Sequence, residues 1–153
     1  MGESKHAPRF HTCIQLFKQG LGIKEQENLA VYIDTYRNNE LKYYTPYFSE
    51  HAYILENFCS YYFQHVLFPY DIKELSYRFL FFSIEMALLK CLLVGISGSA
   101  ERLHPEIIIQ VFQSYFKLLH HHTKRYEHYI GMIHTSLRNE TTDYKEILQI
   151  LFH

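Results

Sequence analysis

The sequence predicts an all-α fold: a single irregular bundle of about six or seven helices, one domain over residues 1–153. Three observations predict it. Apolar residues recur at three- and four-residue spacing through almost the whole chain, the period of a helix face, and no competing strand alternation occurs. Hydrophobic residues make up 48% of the 153, enough for one buried core and too many for a disordered chain. The prolines and most of the glycines fall between the periodic runs, where they start or stop helices.

In chain order, Pro8 to Lys18 predicts a short helix with Phe10, Cys13, Ile14 and Phe17 on one face. Gly20 and Gly22 end it, because glycine tolerates the left-handed backbone of a helix C-terminus. Lys24 to about Tyr44 predicts a second helix with Leu29, Tyr32, Ile33 and Tyr36 inward, broken by Thr45-Pro46. Glu50 to Pro69 predicts the central helix. Leu55, Phe58, Cys59, Tyr62, Val66 and Leu67 cover most of its circumference, and Glu56, Ser60 and Gln64 form a narrow polar stripe. Ser49 is placed to cap it and Pro69 to stop it.

Ile72 to Val94 predicts the fourth and longest helix. Its length raises a membrane span, but Glu85 and Lys90 near its middle each cost about 2.5–3.5 kcal/mol on insertion scales. A buried bundle helix is the expectation, with no membrane span. Gly95 to Ala100 reads as a loop. A fifth helix starts at Pro105, a good first-turn residue, with Ile108, Val111, Phe112, Tyr115, Phe116 and Leu119 inward. Thr123 is placed to cap a sixth helix, and Thr141 or Thr142 a seventh.

Lys and Arg number 15 against 16 Asp and Glu, so no bulk charge draws the chain to nucleic acid or an anionic membrane. The 11 histidines make that balance acid-sensitive. Cys13, Cys59 and Cys91 are odd in number, widely spaced and set among apolar residues, which fits reduced thiols in a cytoplasmic protein. The opening MGESKHAPRF lacks the apolar core of a secretory signal.

Several constellations invite chemistry. Cys91-Leu92-Leu93-Val94-Gly95-Ile96-Ser97-Gly98-Ser99 resembles the strand and turn of a nucleotide- or S-adenosylmethionine-binding sheet. No second strand follows and no acid sits about 20 residues on to hold a ribose, so a helix end and loop is the reading preferred. His120, His121, His122, His128 and His134 include no pair four apart, the spacing that puts two zinc ligands on one helix face, so no metal site is expected. Glu85 inside the longest helix is expected to be buried and paired. Cys59 and Cys91 are expected to pack, not to act as nucleophiles. Tyr43-Tyr44-Thr45-Pro46-Tyr47-Phe48 reads as a hydrophobic corner between helices, with a peptide-binding groove as the other use of such aromatics.

Leu55-Glu56-Asn57-Phe58, then Tyr62-Phe63, then Leu67-Phe68-Pro69, resembles the LENYxxxxxFxxxxFP stretch in the C-terminal half of bacterial flagellin lysine N-methylases. Ala87-Leu88-Leu89-Lys90, with Leu93 and Gly95, is similar to that family's next core helix and its terminating glycine. Gln113-Ser114-Tyr115, leading into His121, is similar to a third helix, where the family tends to have Glu-His-Asn in place of His120-His121-His122. The likeness covers about Phe10 to Tyr129.

The resemblance implies transfer of a methyl group from S-adenosylmethionine to lysine side chains of flagellin, in the bacterial cytoplasm. It also implies a cysteine-rich N-terminal region holding an iron–sulfur cluster. This chain has no counterpart of that region, and Cys13, Cys59 and Cys91 match none of its cysteines. No catalytic or cofactor-binding residue carries over. The chain thus reads as a C-terminal fragment or split piece of such a methylase, beginning at what would be an internal methionine. Its partners would be flagellin and the missing cysteine-rich part, and it is expected to be inactive alone. The alternative is a non-enzymatic all-α interaction module whose exposed aromatics bind a partner helix or a second copy.

Overall fold

A helix that is apolar on every side belongs in the core, and in this chain that helix is Ile72–Ala100, α5. The computed structural model describes residues 8–24, 29–64, 72–121 and 135, with the backbone alone over 8, 72–78, 80 and 118–121. Before α5 come α1 (Pro8–Leu21), α2 (Leu29–Asn39), a π turn (Glu40–Tyr44), α3 (Thr45–Glu50) and α4 (Tyr53–Tyr62); after it comes α6 (Pro105–His121). The described residues are all-α, as the sequence predicts, with six α-helices and no strand among them. The helices expected from Thr123 and from Thr141 or Thr142 lie outside the described residues.

Leu93, Val94 and Ile96 of α5 are 0% exposed, and Phe82 and Leu89 join them in the core. Helix α1 lies along α5 in the most extensive helix pairing of the described residues, and α2, the π turn and α6 also pack on α5. By length and hydropathy Phe81–Ala100 could cross a membrane, but 61% of that window is buried inside the fold, as in a core helix.

The axis of the bundle is therefore α5 and not the stretch from Glu50 to Pro69. Within that stretch α4 sits on a flank. Phe58 and Tyr62 are buried, while Tyr53 is 56% exposed. Glu56, Ser60 and Gln64 face solvent as predicted. Apolar residues over most of its circumference predicted a central helix, but within α4 only Phe58 and Tyr62 are buried. Ser49 does not cap it: its hydroxyl donates to the Pro46 carbonyl at 2.7 Å, and α4 begins after Ala52. Pro69 lies outside the described residues.

Two further boundaries differ from the sequence reading. Helix α1 passes through Gly20 and ends at Gly22, whose φ is +67°. There the Gly22 N–H donates to Gln19 O (3.1 Å) and the Ile23 N–H to Lys18 O (2.9 Å), the paired bonds of a glycine-terminated helix. Helix α5 likewise does not stop at Val94. It runs through the expected loop to Ala100 and ends with Glu101 left-handed at φ 53°. The Arg102 N–H then closes on Ser97 O at 3.1 Å.

Close packing explains the continuation of α5. A Cβ at Gly20 would strike the Gly95 carbonyl, and a Cβ at Gly98 would strike the Gly20 carbonyl and the Asn39 side chain. The glycines of the supposed loop let two helix backbones touch. Ser97 and Ser99 stay helical by donating to carbonyls of their own helix, Val94 O at 2.7 Å and Ile96 O at 2.8 Å.

The chain also continues through Thr45-Pro46 where a break was expected. A proline ring collides with the carbonyl four residues back in a regular helix. Here the wider π turn comes just before it, with the Thr45 N–H bonded to Glu40 O and Pro46 in the first turn of α3. The break falls at His51. On α2, Tyr36 packs on the core as expected, but Leu29 is 70% exposed and Ile33 is exposed too. Helix α6 starts at Pro105 and buries Ile108, Val111 and Tyr115, with Phe112 and Phe116 against the core, as the sequence predicts. The Phe58 ring lies 5.2 Å from Phe112 and 5.4 Å from Phe116, tying α4 to α6.

Candidate functional site

Tyr36, Glu40 and Tyr44 are spaced four apart along α2 and the π turn, so they share a face, and that face meets Lys90 and Cys91 of α5. Glu40 Oε1 and Lys90 Nζ are 2.6 Å apart, with side chains 25% and 30% exposed. The same ammonium lies 5.8 Å from the centroid of the Tyr44 ring, within reach of a cation–π interaction. One ammonium is thus held by a carboxylate and an aromatic face, half out of water.

The rest of the cluster stays neutral. Burial, with the Glu40 charge adding to it, pushes the Tyr44 hydroxyl up to about 12. Burial also pushes Tyr36 well up, helped by Cys91, Glu40 and Tyr44 around it. Burial raises the Cys91 thiol, so it is protonated at neutral pH. The arrangement suits holding a cation and does not suit nucleophilic attack by the thiol.

The backbone that presents Glu40 is fixed at both ends. Asn39 is buried and its Nδ2 donates to the Gly20 carbonyl at 3.0 Å. That carbonyl lies in the last turn of α1 and has no partner within its own helix. After Tyr44 the buried Phe48 ring continues the anchor, 4.6 Å from the Tyr44 ring. The aromatic run thus packs on the core, as preferred from sequence, but it does so within a continuous helical segment and not at a corner between helices. At its far end Tyr47 stacks on His51 at 4.3 Å, and His51 Nδ1 lies 2.9 Å from Tyr47 O.

The residues singled out from sequence fall elsewhere. Cys91 to Ser99 is helix, and its glycines are covered by Phe17, Gly20 and Asn39, so no bare backbone is open to a nucleotide. Glu85 is 4% exposed in α5, one turn from Phe81 and one from Leu89. Cys13 is buried and its thiol is pushed up by burial, with the Ser114 hydroxyl beside it acting the other way. Cys59 is half-buried and raised for the same reason. Cys59 packs against the core, and Cys91 is half-buried near Tyr36. His120 and His121 are in the last turn of α6, and His122, His128 and His134 lie outside the described residues. Among the described residues no three His, Cys, Asp or Glu side chains gather as metal ligands. Glu40 and Tyr36 were not singled out as a site; the signal was the four-residue spacing of Tyr36, Glu40 and Tyr44.

Fold and site together define an all-α domain whose most organised polar feature holds a lysine ammonium. The family model for the FliB lysine N-methylase C-terminal domain matches residues 2–148, and the chain belongs to that family. No curated protein and no solved structure matches it.

Proposed function

We propose that this chain serves as the C-terminal piece of a flagellin lysine N-methylase of the bacterial cytoplasm, supplying helical support and part of the lysine-binding surface. The observation that carries this reading is the family match over residues 2–148. Three free, half-buried or buried thiols accord with a reducing compartment. The methyl donor of the whole enzyme would be S-adenosylmethionine.

An iron–sulfur cluster does not fit the described residues. Cys13, Cys59 and Cys91 sit on three different helices, their thiols are raised by burial, and they form no ligand group. The Gly95–Ser99 helix does not fit a nucleotide loop either. Cluster and donor would belong to the cysteine-rich part, and no step is assigned to them here. What this chain offers is placement: a lysine amine must be held in one orientation, away from bulk water, before methyl transfer is fast.

The test is complementation. The chain is mixed with a separately expressed cysteine-rich region, flagellin and S-adenosylmethionine, and lysine methylation is read by mass spectrometry. Methylation is expected only with both pieces present. Methylation of flagellin by the purified chain alone would overturn the reading.

A second reading, a non-enzymatic interaction module, draws on the exposed apolar residues Leu29, Val31, Ile33 and Leu41 along α2 and the π turn. Sedimentation separates the two. A defined, soluble oligomer of the chain alone, together with failed complementation, would favour the module.

A further inference from the structure

We infer that Glu40, Tyr36 and Tyr44 form a receptor for the side-chain ammonium of a substrate lysine, unmodified or methylated, and that Lys90 occupies it as an internal stand-in until a substrate displaces it. The identity of the guest as a protein lysine rests on the function proposed above; the receptor itself rests on geometry.

The contacts made by Lys90 are those that alkylammonium recognition requires. A carboxylate oxygen lies 2.6 Å from Nζ and supplies a charge-assisted hydrogen bond. An aromatic face lies 5.8 Å away and supplies a contact that tolerates added methyl groups, as in aromatic cages for methylated lysine. Methylation removes N–H donors and spreads the charge, moving weight from Glu40 to Tyr44. The two phenols are neutral, so among the described residues the anion facing the guest from α2 and the π turn is Glu40.

Receptor and occupant come from different elements. Tyr36, Glu40 and Tyr44 lie on α2 and the π turn, held by the Asn39 bond to Gly20 and by Phe48. Lys90 comes from α5 on a flexible four-carbon stem and is 30% exposed, so it can swing out without unfolding the receptor. The other described lysine side chains, Lys18, Lys24, Lys42 and Lys117, are exposed, which leaves Lys90 as the one among them set between elements. A π turn also places Glu40, and such turns inside helical segments are frequent at functional sites.

Lys90→Met removes the ammonium and keeps most of the stem. The probe is Nα-acetyl-Nε-methyl-lysine amide, with Nα-acetyl-norleucine amide as the uncharged control, and binding to the 153-residue chain is followed by calorimetry. Lys90→Met is expected to bind the probe at least tenfold more tightly than the natural chain. The double variant Lys90→Met/Glu40→Gln is expected to lose that gain, and Nα-acetyl-norleucine amide to bind neither. A folded Lys90→Met chain that binds the probe no better than the natural one overturns the inference and leaves a structural ion pair.

Should Lys90→Met not fold, the natural chain labelled at lysine 13Cε decides. Saturating probe is expected to move the Lys90 resonance toward those of the exposed lysines, and an unmoved resonance overturns the inference. Binding without two-piece methylation removes the proposed function and keeps the receptor. Methylation without binding removes the receptor alone.

Discussion

Adding one methyl group at Gly20 tests whether the α1–α5 crossing holds this bundle together. In Gly20→Ala the new Cβ falls on the Gly95 carbonyl oxygen and 2.7 Å from the Ser99 nitrogen. Both are backbone atoms of α5, so no rotamer change relieves the clash and the helices must separate. Overpacking costs about 1–3 kcal/mol, and a backbone-on-backbone clash belongs at the upper end. Alanine returns about 1 kcal/mol of helix propensity. The net loss is about 2 kcal/mol. With a urea dependence of about 2 kcal/mol/M, the unfolding midpoint falls by about 1 M. Gly95→Ala sets the scale, because the three atoms nearest its methyl all belong to the Phe17 ring, a side chain that can turn. Urea unfolding followed by far-UV circular dichroism, on both variants and the natural chain, reads the difference. The reasoning fails if Gly20→Ala lies within about 0.5 kcal/mol of the natural chain, or costs no more than Gly95→Ala.

Other consequences are open to similar measurements. Glu101→Gly relieves the left-handed residue at φ 53° that ends α5, and is expected to stabilise the chain by about 0.5–1 kcal/mol in the same urea assay. Asn39→Ala removes the 3.0 Å bond to the Gly20 carbonyl and is expected to cost about 1–3 kcal/mol, since it leaves a buried acceptor without that donor. Tyr44 ionises near pH 12 in the folded chain instead of near 10. Its raised folded value means that its stabilisation is complete below about pH 10 and is lost as pH rises toward 12, so the melting temperature should fall across that window. Ultraviolet titration of the natural chain against Tyr44→Phe should show one late-ionising tyrosine missing from the variant.

How much the sequence revealed depended on whether a local rule or a distant contact decided each point. Helix α6 was legible because Pro105 and the row Ile108, Val111, Tyr115 obey local rules that its packing also satisfies. The end of α5 was not. Gly95-Ile96-Ser97-Gly98-Ser99 has the composition of a loop, and what keeps it helical is the approach of Gly20, more than seventy residues earlier in the chain. The inward face of α2 was legible at Tyr36, which packs on the core, but not at Leu29 and Ile33, which are exposed, for a related reason. Apolar residues pointed to Leu29 and Ile33, but the face that meets α5 also carries Tyr36 and Glu40, and an acid on a buried face runs against the hydrophobic pattern. The site was half legible: the spacing of Tyr36, Glu40 and Tyr44 can be read directly, whereas Lys90 as their partner depends on how α5 is docked. The family was the clearest reading, since the blocks at Leu55–Phe58, Ala87–Lys90 and Gln113–Tyr115 all fall within the matched residues 2–148.

The crossing and the site are mechanically one piece. Asn39 and Glu40 are consecutive, yet Asn39 reaches the Gly20 carbonyl beside Gly98 while Glu40 reaches Lys90. Gly98 and Lys90 are eight residues apart on α5, about 12 Å along its axis. Two neighbouring side chains at the end of α2 thus reach the α1–α5 crossing and the lysine at once. The π turn follows immediately, widening the backbone so that Tyr44 still faces Lys90 and Pro46 still fits. A shift of α1 against α5 therefore moves Asn39, and with Asn39 goes Glu40. The glycines whose composition reads as a loop instead set the distance at which a carboxylate can hold a lysine.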